Sequence, residues 1–447
     1  MGHWRPLTLV GLWLLSSLSV ACSQHSPDAF QKWAAARAIR VRTTDGNTTV
    51  SDLLPLRVLV GQARVVAYGE PTHGTHEPLA FRNRPFRFLV EHMGFTAIAI
   101  ESGLTESEAI ERYVAGGPGD LHDIVRNGLS WSFGEFGEND DLIAWMRAYN
   151  ANPAHPRKLR FYGIDLSGAG DDAFPYARRS VDAALASLAH RDRAIAESLR
   201  RQLNPLLEHF SSDKYALLSP REREQIGAGL MRLATAVAAN RHPVSAQSSD
   251  SPCDWASRNV VVAQQLNRML EVYPPPGPSP GIPPEAFRGV SARDSGMADN
   301  VRWALQCEGA DGRLLVFAHN NHVMNGSLTG GPWSAFRVPP SMMGKFLRSA
   351  LGDSLVIIGS ATGGTSDALP KTQADSMSLD VALSRVSSSS FLLDLRSAKT
   401  RPAVGAWLSQ ARPLRSNVTT HAIVVPARAF DAIAFLDTLT QARRRVP

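Results

Sequence analysis

The stretch Glu70-Pro71-Thr72-His73-Gly74-Thr75-His76-Glu77 sets carboxylates and imidazoles close together, and further such groups stand at Glu101, Asp165 and the run His319-Asn320-Asn321-His322. Side chains of these types support two kinds of chemistry. In one, a carboxylate orients a histidine, and the imidazole acts as a general base on water. In the other, imidazoles such as His73, His319 and His322 hold a metal ion with the glutamates and generate hydroxide near neutral pH. The spacing matches no standard zinc pattern, so both chemistries stay open at this level. Each group also has an ordinary use. Glu70 and Glu101 suit a helix first turn, where acids complement the dipole. Asp165 suits an Asx turn, Arg82 a solvated helix face, and His76 a structural place at a rim. Other chemistries are disfavoured. The chain has no Gly-x-Ser-x-Gly elbow, no Walker A loop, no His-Glu-x-x-His and no cysteine beside these motifs.

The elements that must position these groups are legible as apolar runs. Residues 65–68, 95–100, 159–164, 314–318 and 355–358 read as strands, with shorter candidates at 391–395, 422–425 and 432–435. A helical period runs over 78–93, and a short helix is expected near 30–40. Near-continuous apolar strands alternating with helices predict an α/β fold, with a mixed, mostly parallel sheet covered on both faces. In such a sheet, ligands bind outside the carboxyl ends of the strands. Glu70, Glu101, Asp165 and His319 each follow a predicted strand and should therefore meet on one rim. On this ground Asp165 is expected to contact substrate. Residues 174–273 form a helical insertion rich in Ala, Leu and Arg, and a Pro-rich loop follows over 274–292.

Composition sets outer limits. Of 447 residues, 44% are hydrophobic and 20% charged, which excludes a disordered chain and leaves room for a large core. The formal charge of +6 is spread along the chain without a basic, aromatic-laced run, so no nucleic-acid partner is expected. Residues 1–22 read as an export signal, with small residues at Ser19 and Ala21 before Cys22. A cysteine there resembles a lipoprotein cleavage site, which predicts a periplasmic or membrane-anchored protein tethered through an acylated Cys22. Ordinary secretion is the alternative. Cys253 and Cys307 can pair in an oxidising compartment or stand as buried thiols.

The run Gly69–Glu77 resembles the Gly-Glu-x-Thr-His-Gly-Thr-x-Glu signature of the erythromycin esterase family. Arg82 falls where that family has an active-site arginine, and Glu101 falls where it has a second carboxylate. Ala318-His319-Asn320-Asn321-His322-Val323 is similar to its Ala-His-Asn-x-His-Val element, and Arg293-Asp294-Ser295-Gly296-Met297 to its Arg-Asp-x-x-Met helix start. The resemblance spans about residues 45–440. It implies an α/β fold in which a helical portion forms one wall of a deep cleft. The implied activity is hydrolysis of an ester or macrolactone, without a required metal or other cofactor. It further implies that His73 activates water, that Glu70 and Glu101 orient it, and that Arg82, His319 and His322 bind substrate or stabilise the oxyanion. Asn320 and His76 are carried with these motifs as substrate-binding residues. A metal-dependent hydrolase and an exported haem- or metal-binding protein without turnover remain the competing readings.

Overall fold

The structure, a computed structural model, describes residues 27–46, 48–167, 178–240, 253–274, 282–366, 369 and 375–444. The expected export segment with Cys22 and the 275–281 part of the Pro-rich loop lie outside the described residues.

Alternation along the central strands explains why the sheet is covered on both faces. In β2 (Val65–Glu70), Val65 and Ala67 enter one core while Val66 and Tyr68 enter the other. Both β3 (Ala97–Gly103) and β5 (Leu314–His319) divide in the same way. Ala97, Ala99, Leu314 and Val316 face one side, and Ile98, Ile100, Leu315 and Phe317 face the other. Successive side chains of a strand point to opposite faces, so apolar residues at every position require a layer on each side. The helix His76–Met93 covers one face and the helix Phe287–Cys307 the other.

The remaining strands are β1 (Ile39–Arg40), β4 (Arg160–Asp165), β6 (Leu355–Thr365), β7 (Phe391–Asp394), β8 (Arg412–Arg415), β9 (His421–Val424) and β10 (Ala432–Leu439). Eight of the ten strands among the described residues form one sheet in the order β1-β7-β10-β6-β2-β5-β3-β4. Six neighbours from β10 to β4 run parallel, and β7 and β1 add antiparallel pairings at one edge. This is the predicted mixed, mostly parallel α/β sheet. One expected strand is placed differently. The run at 422–425 becomes β9, which pairs with β8 in a separate two-stranded sheet.

Between β4 and β5 the described chain is helical, with helices Arg179–Ala189, Arg193–Leu207, Ser212–Tyr215, Pro220–Ala239 and Trp255–Val272. Their apolar stripes form a core of their own, in which Leu185, Leu203, Leu230 and Leu266 are buried together. Of the two fates open to Cys253 and Cys307, the structure shows the disulfide, with Cα atoms 5.4 Å apart and a sequence separation of 54. It ties the start of helix Trp255–Val272 to the end of helix Phe287–Cys307. Closing a loop of that length stabilises the fold by about 4 kcal/mol in the chain-entropy picture. Among the described residues, no helix is long and apolar enough to cross a membrane.

Candidate functional site

Strand register brings the titratable groups together. Glu70 at the end of β2 lies opposite His319 at the end of β5. Ile100 lies opposite Phe317, so Glu101 emerges beside the end of β5. After a register shift, β4 pairs Asp165 with Gly103. Four strand ends thus deliver Glu70, His319, Glu101 and Asp165 to one rim, as the strand-end argument requires. The turn after β2 carries His73 over this rim. The short helix Asn320–Val323 adds His322, and helix Phe287–Cys307 adds Arg293 and Asp294 from above. Gly69 is needed here because a Cβ would stand 2.5 Å from Asn320 Oδ1 and 2.6 Å from Val323. Any side chain at Gly69 would push away the element that holds His322.

His73 is the accessible group, with 45% of its side chain open, while its partner Glu70 is fully buried. His73 Nδ1 is 2.5 Å from Glu70 Oε1. Its Nε2 is 3.9 Å from Glu101 Oε1, too long for a hydrogen bond, so this nitrogen keeps a free valence. The ring also meets Phe133 and His319 edge to face, with centroids 5.4 and 5.1 Å away. Glu101 is the hub. Its Oε1 receives His322 Nε2 at 3.2 Å and Arg293 Nη2 at 3.3 Å, and its Oε2 accepts the His319 backbone N–H at 2.7 Å. His322 Nδ1 reaches Asp294 Oδ1 at 2.9 Å. Arg293 in turn grips Asp165 through Nε at 3.0 Å and Nη2 at 2.5 Å.

These contacts set the protonation states. Burial raises the Glu101 carboxyl, but the charge and hydrogen bond of His322, then His73 and Arg293, outweigh it and hold Glu101 well below the usual range. Burial raises Glu70 further than His73 and Arg82 can lower it. Burial pulls the His73 imidazole down, yet Glu70 and then Glu101 bring it above its ordinary value of 6.5. The two histidines of the β5 motif part company. Burial, with the charge of His73, pulls His319 down to about 3, so it is neutral. Its Nδ1 accepts the Asn321 backbone N–H at 3.1 Å, which leaves the proton on Nε2, and the ring donates it to the Pro71 backbone carbonyl. His322 is also pulled down by burial, but Asp294 and Glu101 lift it to about 10. It stands as an imidazolium between two carboxylates.

Glu70, His73, Glu101, His319 and His322 therefore meet as expected, and other expected site residues stand elsewhere. Arg82 is fully buried on the helix behind Glu70. Its guanidinium lies 4.7 Å over the Phe317 ring and bonds to Asn83. Asp165 is buried with its oxygens held by Arg293, Trp131 and the Leu166 backbone. Asn320 uses both ends of its carboxamide on the Ser360 backbone, at 2.7 and 2.9 Å, and fastens its helix to β6. His76 pairs with Glu138 at 2.6 Å, apart from the His73 group. Arg293 and Asp294 do the work that sequence reading did not give them. Their place in the Arg-Asp-x-x-Met element was the only signal.

The metal-ligand alternative does not fit this geometry. His322 has both ring nitrogens committed to carboxylates as an imidazolium, and His319 Nδ1 is committed to a backbone N–H. Among the described residues, no three His, Cys, Asp or Glu groups converge as a metal-holding set. What the arrangement can do is accept a proton at His73 Nε2, beside the Glu101 carboxylate and the Arg293 guanidinium.

The erythromycin esterase family model matches residues 90–439. That span includes Glu101, Arg293, His319 and His322 and begins after Glu70 and His73. The Escherichia coli erythromycin esterase type II is 26% identical over 342 residues, 74% of this chain and 76% of its own. A Bacillus cereus protein of solved structure superposes with a TM-score of 0.77 at 23% identity, over 94% of this chain and 100% of its own. A mutant of the erythromycin esterase EreC, solved in its open conformation, superposes with a TM-score of 0.63 at 19% identity, over 91% of this chain and 98% of its own. The structural likenesses are likenesses of fold.

Proposed function

Because the chain belongs to the erythromycin esterase family, we propose that it hydrolyses carboxylic esters, with macrolactones as the first substrates to try, and that His73 is its general base. The single observation that carries this reading is the state of the His73 ring. One nitrogen is anchored on Glu70 at 2.5 Å, and the other is open to the cleft beside Glu101 at 3.9 Å.

The steps follow from that state. His73 Nε2 takes a proton from water as the water oxygen bonds to the ester carbonyl carbon. The imidazolium that forms lies between Glu70 and Glu101, whose charges favour it. His322 and Arg293 keep Glu101 ionised throughout, so this stabilisation is already in place when charge develops. The carbonyl oxygen becomes an oxyanion, and the donor on that side is the Arg293 guanidinium. Collapse breaks the bond to the alkoxy oxygen, and the imidazolium returns its proton to the departing alcohol. The acid product leaves and His73 is neutral again. Arg82 serves in this scheme as a buried counter-charge to Glu70, which its guanidinium holds lower than burial alone would.

We further propose that the protein works outside the cytoplasm. The export signal over residues 1–22 supports this, as does the Cys253–Cys307 disulfide, since such bonds persist in oxidising compartments. Acylation of Cys22 would tether the enzyme, and mass spectrometry of the natural N-terminus tests it. The activity test is a panel of simple esters, lactones and macrolides given to the protein with and without a chelator. Hydrolysis that survives chelation supports the reading. An untouched panel, or activity lost to the chelator and restored by metal, refutes it.

A further inference from the structure

One loop outside all the motifs places two aromatic rings against the site. It joins helix Leu121–Gly128 to helix Gly137–Ala151. Trp131 and Ser132 both have φ of +60°, and they are the only non-glycine residues with positive φ among the described residues. A bulky L-residue avoids that region unless its surroundings impose it. Here they do. The Ser130 backbone N–H donates to Ser102 Oγ at 2.7 Å, and Ser130 Oγ accepts from the Gly103 N–H at 3.1 Å and donates to Glu106 at 3.2 Å. Asn139 Nδ2 holds the Phe133 carbonyl at 2.7 Å. At Gly134 a Cβ would stand 2.7 Å from the Arg126 carbonyl oxygen, so only glycine lets the loop lie this close. Ser102 and Gly103 immediately follow Glu101, so the loop is anchored to the strand that bears the hub of the site.

The strained backbone delivers Trp131 to Arg293. The indole Nε1–H donates to Asp165 Oδ2 at 3.1 Å, and the Arg293 guanidinium carbon lies 5.0 Å over the indole ring. Arg293 is thus held in its plane by Asp165 and Glu101 and on its face by Trp131. A guanidinium held only at its edges can still tilt about them, and a ring beneath it prevents that tilt. On the other side of the same loop, Phe133 packs edge to face on His73.

We propose that Trp131 is a positioning residue, presented by a strained loop, that fixes the plane of Arg293 so that its guanidinium faces the developing oxyanion. The kinetic part of this proposal rests on the esterase reading above. The structural part does not, and the experiment separates them. Crystal structures of Trp131→Ala and Trp131→Phe are solved beside the unmodified protein, and all three are assayed on p-nitrophenyl butyrate and erythromycin with thermal unfolding as a control. In Trp131→Ala the guanidinium should tilt out of the plane it shares with the Asp165 carboxylate, and kcat should fall about 10- to 100-fold while KM moves less than about 3-fold. In Trp131→Phe the ring remains, Arg293 should keep its place, and kcat should stay within about 5-fold of the unmodified protein. An Arg293 that does not move in Trp131→Ala overturns the proposal. So does a Trp131→Phe protein as impaired as Trp131→Ala, or a loss explained by a matching fall in thermal midpoint. If the unmodified protein leaves both esters intact, the esterase reading fails on its own, and the crystallographic position of Arg293 still decides the role of Trp131.

Discussion

His73 and His76 stand three residues apart and make nearly the same bond. Each puts Nδ1 on a glutamate oxygen, Glu70 at 2.5 Å and Glu138 at 2.6 Å, and in each pair the glutamate is buried. Their surroundings separate them. Around His73 lie His319 and Glu101, which in turn holds His322 and Arg293. Around His76 lie Glu138 and Arg443, which fasten the C-terminal segment to the start of helix His76–Met93. A histidine–carboxylate pair is therefore a common structural clamp, and what turns one into a base is the company kept by its second nitrogen.

Substitutions can break or sharpen this contrast. The largest effect is expected at His73. His73→Asn should lower kcat by about 10²–10⁴-fold on any ester the enzyme accepts, with the unfolding midpoint little changed. A variant that keeps its activity would erase the distinction between the two pairs. Glu101→Gln should follow, with a loss on the order of 10²-fold, because it removes the fixed anion facing His73 and leaves His322 and Arg293 with excess positive charge. Steady-state kinetics on the same substrate checks this, and an unchanged kcat would remove Glu101 from the account.

His76→Asn should do least to catalysis, leaving kcat within a few-fold. Its effect is on stability, about 1 kcal/mol after allowance for the open side of His76. The sign with pH follows from both partners. His76 is raised above 6.5, first by its hydrogen bond to Glu138, so its contribution is full below 6.5 and fades as pH rises through the raised value. Burial raises Glu138, but the His76 hydrogen bond and the Arg443 backbone hold it below 4.5. Its contribution is therefore full above 4.5 and fades as pH falls through the lowered value. Denaturant unfolding of both proteins should differ most between pH 4.5 and 6.5 and converge outside. An equal difference at pH 9 would contradict the clamp.

The legible part of this molecule is the part governed by strand ends. Runs such as 95–100 and 314–318 announce buried strands by apolar continuity, and the titratable residue after each must then stand on the sheet rim. That logic brings Glu70, Glu101 and His319 together without reference to any relative, and it puts Asp165 on the same rim, where Arg293 holds it. It fails where a residue's role depends on packing against a distant element. Arg82 lies on a helix whose residues Pro78 to Phe86 are all buried, so it has no solvated face. Arg293 and Asp294 reach the site from a helix on top of the sheet, and in sequence they look like ordinary helical charges. Asn320 sits inside a site motif and serves the backbone of β6. Trp131 depends on a positive φ that no local sequence preference signals. The β8–β9 hairpin was half visible, because Arg412-Pro413-Leu414-Arg415 lacks the apolar continuity of a central strand.

The most direct test of His73 as base is the pH dependence of kcat/KM on one hydrolysed ester, measured for the unmodified protein and for Glu101→Gln. The base must be neutral, and the neighbouring carboxylates raise its pKa, so the rate should climb through one ionisation above 6.5 and then level. In Glu101→Gln the climb should move to lower pH while the plateau falls. A profile flat from about pH 5 to 8 in the unmodified protein, or a climb that stays in place when Glu101 loses its charge, would contradict the assignment.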